Sequence, residues 1–434
     1  MSLKSISRRT VVAVAAAGLL FSAAACGSDG SGGGGSDVVD WWHIQPEDGA
    51  LGMEWRAFAD EFNAEHPDGA QIQITPMEND AFKSAVATAI QGGEPPDLFQ
   101  SWGGGVLRQQ VEAGQVKDLT DVLADVIDDI APGALAPYTV DGRVYGLPWN
   151  MGMVGFWYNT ELFEQAGITE EPQTWSEFLD VVRQLKAAGI TPIALGQADR
   201  WPGHFWWAYL ATRAAGLDAL AAAYDNKQLS DPGFVRAGEL LLDLMELEPF
   251  QEGFLAVGYE QGDGQAATMG NGEAAMELMG HWSPSAQIDW AGLEGQEAEE
   301  LPSKRGFFPF PAIEGGKGAI TEILGGGDGF AIGANAPDET IEFVRYIFEN
   351  YQRVVDTGGI VPVVLGGEDM VDNEALVPVL ETLASGTGFQ LYLDQDWPPA
   401  VADEVLASVA ALFAGEATPQ EVVDRINEAW AREA

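Results

Sequence analysis

Apolar and polar positions follow two rhythms along this chain. Residues 38–44 (VVDWWHI) run extended and end in aromatics, which predicts a first strand. Residues 52–65 (GMEWRAFADEFNAE) place Trp55, Phe58, Ala59 and Phe62 three or four apart, the spacing of one buried helix face. Residues 70–75 alternate like a strand. Residues 79–91 form a second helical pattern, stopped by Gly92-Gly93 and Pro95-Pro96. Residues 97–100 open a short strand, Ser101-Trp102-Gly103-Gly104-Gly105 is a glycine loop, and 105–114 is helical again. Strand, helix, strand, helix, strand is the alternation of an α/β domain around a parallel sheet.

The middle of the chain changes texture. Residues 145–158 (YGLPWNMGMVGFWY) are extended and interrupted by glycine. Thr174-Trp175-Ser176-Glu177 is a capping box that launches a helix to about Ala188, and T-P-I-A-L (191–195) predicts the next strand. Residues 205–223 and 232–247 predict helices, and 272–279 a strand or short helix leading to His281-Trp282-Ser283. GFFPFP (306–311) predicts an extended crossing, GGGDGFAI (325–332) a turn feeding a strand, and 337–350 a helix. Near the end, Thr418 as N-cap, Pro419 at the first helical position and Glu421 two further on start a last helix. No internal repeat is visible.

The N-terminus carries a different signal. Lys4, Arg8 and Arg9 precede an apolar or small run from Val11 to Ala25, the pattern of an export signal, and S-R-R-T-V-V resembles a twin-arginine version. The single cysteine, Cys26, follows Ala23-Ala24-Ala25 and resembles the lipidated cysteine of a bacterial lipoprotein box. GSDGSGGGGS (27–36) is a flexible tether. The expected order is signal (1–25), lipid anchor and leash (26–36), then a folded body on the outer face of the cytoplasmic membrane.

Composition removes several classes. Hydrophobic residues make up 46% of the 434, enough to bury a large core, so wholesale disorder is excluded. The formal charge is −46, and loss of the three signal cations leaves −49. Nucleic acid is therefore not an expected partner, because phosphate binding needs a basic stripe. One cysteine permits no disulfide framework, and no apolar run reaches the ~18 residues of a membrane helix. The acidic excess reads as a solvated shell.

Several blocks in order carry a family resemblance. They are PPDLFQSWGGG (95–105), YGLPWN (145–150), WYNTELFEQAGI (157–168), WSEFLDVVRQLKAAGITPIALG (175–196), GGGDGFAI (325–332) and LYLDQDWPP (391–399). From about Val38 to Trp430 the chain resembles the extracytoplasmic sugar-binding lipoproteins of ABC importers, the maltose-binding-protein group. The last block resembles actinobacterial receptors for xylo- and other β-linked oligosaccharides. The resemblance implies two α/β lobes, 37–146 plus 307–357 and 147–306 plus 358–434, with hinge crossings and a ligand cleft between them. It implies a monomer that delivers sugar to ABC permease subunits, touches the membrane only through its anchor, needs no cofactor and performs no catalysis.

A sugar offers flat C–H faces and a rim of hydroxyls, so a receptor needs aromatic planes and fixed polar groups. The chain has 14 Trp, many at turns rather than inside periodic segments. Trp42 and His43 end the first strand, where a parallel sheet opens its crevice. Asn79 and Asp80 open a helix, and Ser101 and Trp102 precede backbone-exposing glycines. Trp149 and Asn150 lie at the first crossing of the implied fold. Trp201 and His204 lie in an aromatic loop (RWPGHFWW), and His281 precedes Trp282, which resembles the family position of a stacking aromatic. Asp328 is backed by glycine, and Asp394, Gln395 and Trp397 share one loop. Trp55, Trp157, Trp175, Trp290 and Trp430 are assigned to packing.

Two rival readings exist. His43, His204 and His281 on the candidate loops could bind zinc, but each has an aromatic neighbour and no His-rich loop is present. A secreted glycosidase would need two facing carboxylates, which 67 acidic residues always supply and therefore do not diagnose. G-x-S-x-G, H-E-x-x-H and Walker patterns are absent from the sequence, and no G-x-G-x-x-G occurs outside the glycine tether. The candidate loops hold few cations, which favours a neutral ligand, with β-1,4-linked xylo- or gluco-oligosaccharides ahead of α-glucosides.

Overall fold

A computed structural model describes residues 38–433. The export signal, Cys26 and the tether lie outside the described residues.

The opening alternation builds one parallel core. Val38–His43 pairs in parallel with Gln71–Pro76 on one edge and Leu98–Ser101 on the other. Alternation sends Trp41 inward, where it is fully buried, while Trp42 stays partly exposed on the other face. The helix Ala50–Glu65 buries Gly52, Trp55, Phe58, Ala59 and Phe62 against this sheet. Trp41, Trp55 and Phe330 meet with ring centroids 5.5–5.9 Å apart. Each such buried aromatic contributes about 2–3 kcal/mol from area removed from water.

Two strands from far along the chain complete the sheet. Gly329–Ile332 runs antiparallel to Leu98–Ser101 and, on its other edge, to Gly146–Pro148. A second sheet contains, side by side, Gly388–Leu391, Glu322–Gly326, Gly152–Asn159 and Met276–Gly280. Arg305–Phe308 also pairs with Gly152–Asn159. Its core is aromatic: Phe156 lies 4.7 Å from Phe178 and 5.4 Å from Trp206. The helix Trp175–Ala187 starts at the expected capping box, with Thr174 N–H donating to Glu177 at 3.0 Å. Thr418 and Glu421 repeat the device at the helix Pro419–Glu433, with Thr418 N–H donating to Glu421 at 2.8 Å.

Three elements differ from the sequence reading. T-P-I-A-L forms isolated bridges from Ile193 to Phe250 and Met276 instead of a strand, because its next amides turn to other partners, Leu195 N to the Gln251 side chain. The helix expected over 205–223 starts earlier and splits into Trp201–Ala215 and Leu217–Asn226. Gly216, at φ +87°, breaks it in a conformation a side chain would strain. The second crossing also moves. Phe307 and Phe308 pair with Trp157 and Phe156, so Arg305–Phe308 and Glu322–Gly326 belong to the second sheet. The chain passes to the first sheet at Gly327-Asp328, and the expected first-lobe segment beginning at 307 is corrected to one beginning near 327.

The chain thus crosses between two α/β lobes three times: at 149–151, at 327–328, and over about 356–374. In the last, Ile360 packs in the first core and Val361 in the second. Among the described residues no helix is long and apolar enough to cross a membrane.

Candidate functional site

The three crossings meet at one side chain. Asn150 Nδ2 donates to Asp328 Oδ2 at 3.1 Å, and Asn150 Oδ1 accepts from Val361 N at 3.0 Å and from His281 Nε2 at 2.8 Å. Gln100 Nε2 donates to the other oxygen of Asp328 at 2.9 Å. Burial raises the Asp328 carboxyl to about 6, against the hydrogen bonds from Asn150, Trp102 and Gln100. Gly327 is required here, because a Cβ would lie 1.9 Å from the Asn150 carbonyl.

A cavity opens above this junction, between the lobes. Its volume is about 180 Å³, an order of magnitude beyond what one water occupies. The first lobe contributes the turn after the first strand, Asn79, Lys83 and Trp102. Trp102 stands edge-on to Phe82 at 5.8 Å, with Lys83 Nζ 5.2 Å from its ring centre. The crossings contribute Trp149, Asn150, Asp328 and Ile360.

The second lobe supplies an aromatic wall. Trp201 begins the helix Trp201–Ala215 and lies edge-on to Tyr259 at 5.1 Å. Trp282, Ser285, Ala286, Asp289 and Trp290 recur at helical spacing, so one face of Ser283–Ala291 and the residue before it lines the cavity. Tyr392, Asp394 and Gln395 follow the strand Gly388–Leu391. This loop reaches the first lobe: a Cβ on Gly104 would lie 2.5 Å from the Gln395 carbonyl, and one on Gly105 2.6 Å from that of Asp396. The glycines of S-W-G-G-G therefore let two backbones touch across the cleft.

Among the described residues, three buried polar atoms on the wall lack partners: Asn79 Oδ1, Trp149 Nε1 and Tyr392 Oη. An unpaired buried donor or acceptor costs about 1–3 kcal/mol, which a hydroxyl-bearing ligand relieves.

Nine of the sixteen candidate ligand residues line the cavity: Asn79, Trp102, Trp149, Asn150, Trp201, Trp282, Asp328, Asp394 and Gln395. The other seven lie elsewhere. Trp42 Nε1 donates to Asp40 at 2.6 Å on the sheet. His43 is buried against Trp41 and accepts from Gln45 N. Asp80 is exposed, and its amide is held by Glu78, which caps the helix Asn79–Gly92. Ser101 Oγ accepts from Gly103 N inside the first lobe. His204 is buried beside the Trp201 carbonyl, with Nε2 3.9 Å from Asp394. His281 sits beneath the wall on Asn150, and Trp397 packs on Trp430 at 5.6 Å. The three histidines do not converge, and among the described residues no group of three or more His, Cys, Asp or Glu could hold a metal. Burial lowers His43 to about 4, with help from Arg56, and His281 to about 3.

The sequence reading missed Lys83, Glu260, Asp289, Trp290 and Tyr392. Trp290, assigned to packing, lines the cavity. The signal was the eight-residue spacing from Trp282 in H-W-S-P-S-A-Q-I-D-W, roughly two helical turns with Ser285-Ala286 between. Glu260 had no signal, since it lies in an irregular, polar stretch.

The model of the bacterial extracellular solute-binding protein family matches residues 49–352, more than half of the chain, and the protein belongs to that family. Two solved structures are similar over nearly their whole length. One, described for xylan utilization by the thermophilic bacterium Caldanaerobius polysaccharolyticus, has a TM-score of 0.81 at 28% identity and covers 90% of this chain and 99% of that one. The other, a chitin oligosaccharide binding protein, has a TM-score of 0.80 at 28% identity and covers 92% and 99%. An uncharacterized ABC transporter extracellular-binding protein of Pyrococcus horikoshii is 24% identical over 255 residues, 57% of this chain and 55% of that protein. The chain spans about half the length of several curated relatives it matches.

Proposed function

We propose that this protein is the sugar receptor of an ABC importer, capturing a β-1,4-linked xylo- or gluco-oligosaccharide between its lobes. The observation that carries the reading is the cavity wall: Trp102, Trp201, Trp282 and Trp290 beside the unpartnered Asn79 Oδ1 and Tyr392 Oη. Indole faces stack on sugar C–H faces, and the orphan polar atoms take hydroxyls. The two 28%-identical structures, whose descriptions name xylan and chitin oligosaccharide, support a β-linked sugar.

An anionic ligand fits poorly. The wall carries Glu260, Asp289, Asp328 and Asp394 against one cation, Lys83, which is 3.8 Å from Asp394. Some curated relatives are named for sn-glycerol-3-phosphate, but a phosphate on this wall would meet four carboxyls and a lysine already near Asp394. Ligand bridging both lobes closes them about the crossings, and the permease reads that closed form. The protein binds without turnover, as a monomer, exported and held to the membrane by a lipid on Cys26.

Titration of the full chain with xylobiose, xylotriose, cellobiose, maltose, chitobiose, raffinose and zinc, followed by tryptophan fluorescence with product analysis, tests this. One sugar binding saturably and remaining intact is the expected result. Cleavage of the sugar, or a response to zinc alone, overturns it.

A further inference from the structure

Two of the four cavity carboxyls are held by protein donors, while the other two face open space, Asp289 exposed and Glu260 partly so. Asp328 accepts from Gln100 and Asn150 at 2.9 and 3.1 Å. Asp394 accepts from Gln395 Nε2 at 2.8 Å, with Lys83 nearby. Among the described residues, no hydrogen bond or ion pair reaches the side-chain carboxyl of Glu260 or Asp289, though both line the cavity. Lys83, the wall's one cation, is engaged by Asp394 and the Trp102 ring.

What faces these two carboxyls is acidic or aromatic. The charges that reach Glu260 are those of Asp199, Glu78 and Asp289, and Asp48 reaches Asp289. Glu78 and Asp48 stand on the opposite lobe, so the lobes meet here with like charges across the gap. Burial, then those charges, raises Glu260 to about 7. Trp201, Trp282 and Trp290 line the same space. A hydroxyl can bond to either carboxyl but leaves the like charges uncompensated. An ammonium group donates three hydrogen bonds, neutralises charge from both lobes, and is attracted to indole faces.

We propose that one ring of the bound oligosaccharide carries a protonated amine, held by Glu260 and Asp289 against the tryptophan wall. The proposal rests on the sugar-receptor reading and narrows its neutral ligand at that one ring. The remaining rings meet Asn79 and Tyr392 through their hydroxyls.

The test uses three β-1,4-linked disaccharides that differ at carbon 2: cellobiose (hydroxyl), N,N′-diacetylchitobiose (acetamide) and its fully deacetylated form (ammonium). Calorimetric titration of the full chain near pH 7 at low salt should give the deacetylated sugar at least roughly tenfold tighter binding than cellobiose, as expected for a charge-assisted contact. The advantage should shrink in about 0.5 M salt. In E260Q and D289N the ratio between the two sugars should fall, and in the double variant it should approach one. A melting curve on each sample separates this from misfolding, and the ratio within each variant keeps the comparison internal. Equal or weaker binding of the deacetylated sugar, or binding of xylobiose alone, overturns the amine and leaves the sugar receptor standing. If no sugar binds, both readings fall.

Discussion

Asn150 and Asp328 join the first and second crossings side chain to side chain, at 3.1 Å, and Asn150 also reaches the third crossing at Val361. The hinge is thus a hydrogen-bonded knot as well as three strands of backbone. Asn150→Ala strips Asp328 of one donor and leaves the Val361 and His281 N–H groups buried without an acceptor. The expected cost is about 2–4 kcal/mol of stability, with sugar affinity lowered at least roughly tenfold because the lobes lose their fixed approach. Calorimetric unfolding and ligand titration check both. Unchanged affinity would mean that the knot does not set the cleft.

Two cavity carboxyls make stability fall as pH rises. Asp328 stands near 6 and Glu260 near 7, above their ordinary 3.8 and 4.5. The folded chain therefore binds these protons more tightly than the unfolded one. Their contribution is fully present below about pH 4 and is lost as pH climbs through about 7. Glu260→Gln should raise the melting midpoint at about pH 8 and leave it unchanged at about pH 4. Equal shifts at both values would contradict the assignment.

Trp290 and Trp175 should behave oppositely. Trp290 lines the cavity and is partly exposed, whereas Trp175 is 3% exposed and stacks on Phe178. Trp290→Ala should weaken sugar binding by about 1–3 kcal/mol, the range of an interface aromatic, with a small change in melting. Trp175→Ala should destabilise by about 3–5 kcal/mol through a core cavity and leave affinity intact where the protein is folded.

Glu277 lies under the cavity wall without touching the cavity. It accepts from Ser283 Oγ at 2.5 Å, Gln265 Nε2 at 2.8 Å and Gln287 Nε2 at 2.7 Å, and Arg305 Nε donates to Gln287 at 2.6 Å. Ser283 and Gln287 belong to the helix that presents Ser285, Asp289 and Trp290. Glu277→Ala leaves the Ser283, Gln265 and Gln287 donors without their shared acceptor and should cost about 2–4 kcal/mol. Sugar affinity should fall with it, because the wall helix loses its seat. A melting scan beside a titration reads both, and full affinity in a folded variant would show that the helix is held by its apolar contacts alone.

The first lobe's opening strands and helices were legible because each carries its own period and stops. The two capping boxes were legible because Thr and Glu three apart state their contact locally. Crossing order was not. Whether GFFPFP joins one sheet or the other depends on Phe156 and Trp157, about 150 residues away, and no local pattern encodes that pairing.

The site divides along the same line. Trp102, Trp201 and Trp282 stood out because tryptophans at turns need a reason other than core packing. His43, His204 and His281 looked alike in sequence, since an imidazole beside an aromatic reads the same whether it faces a cleft or props one. The structure puts all three behind the wall, held through Gln45 N, the Trp201 carbonyl and Asn150. Tyr392 was hidden within a noticed block, because alternation about a short strand does not say which neighbour turns inward.

The central claim is that sugar is held between the lobes by this wall. A crystal structure of the full chain with the tightest-binding β-1,4-linked sugar tests it most directly. The account predicts ring planes against at least two of Trp102, Trp201, Trp282 and Trp290, and hydroxyls on Asn79 and Tyr392, with both lobes touching one ligand. A sugar bound outside the cleft, or touching one lobe alone, would contradict it.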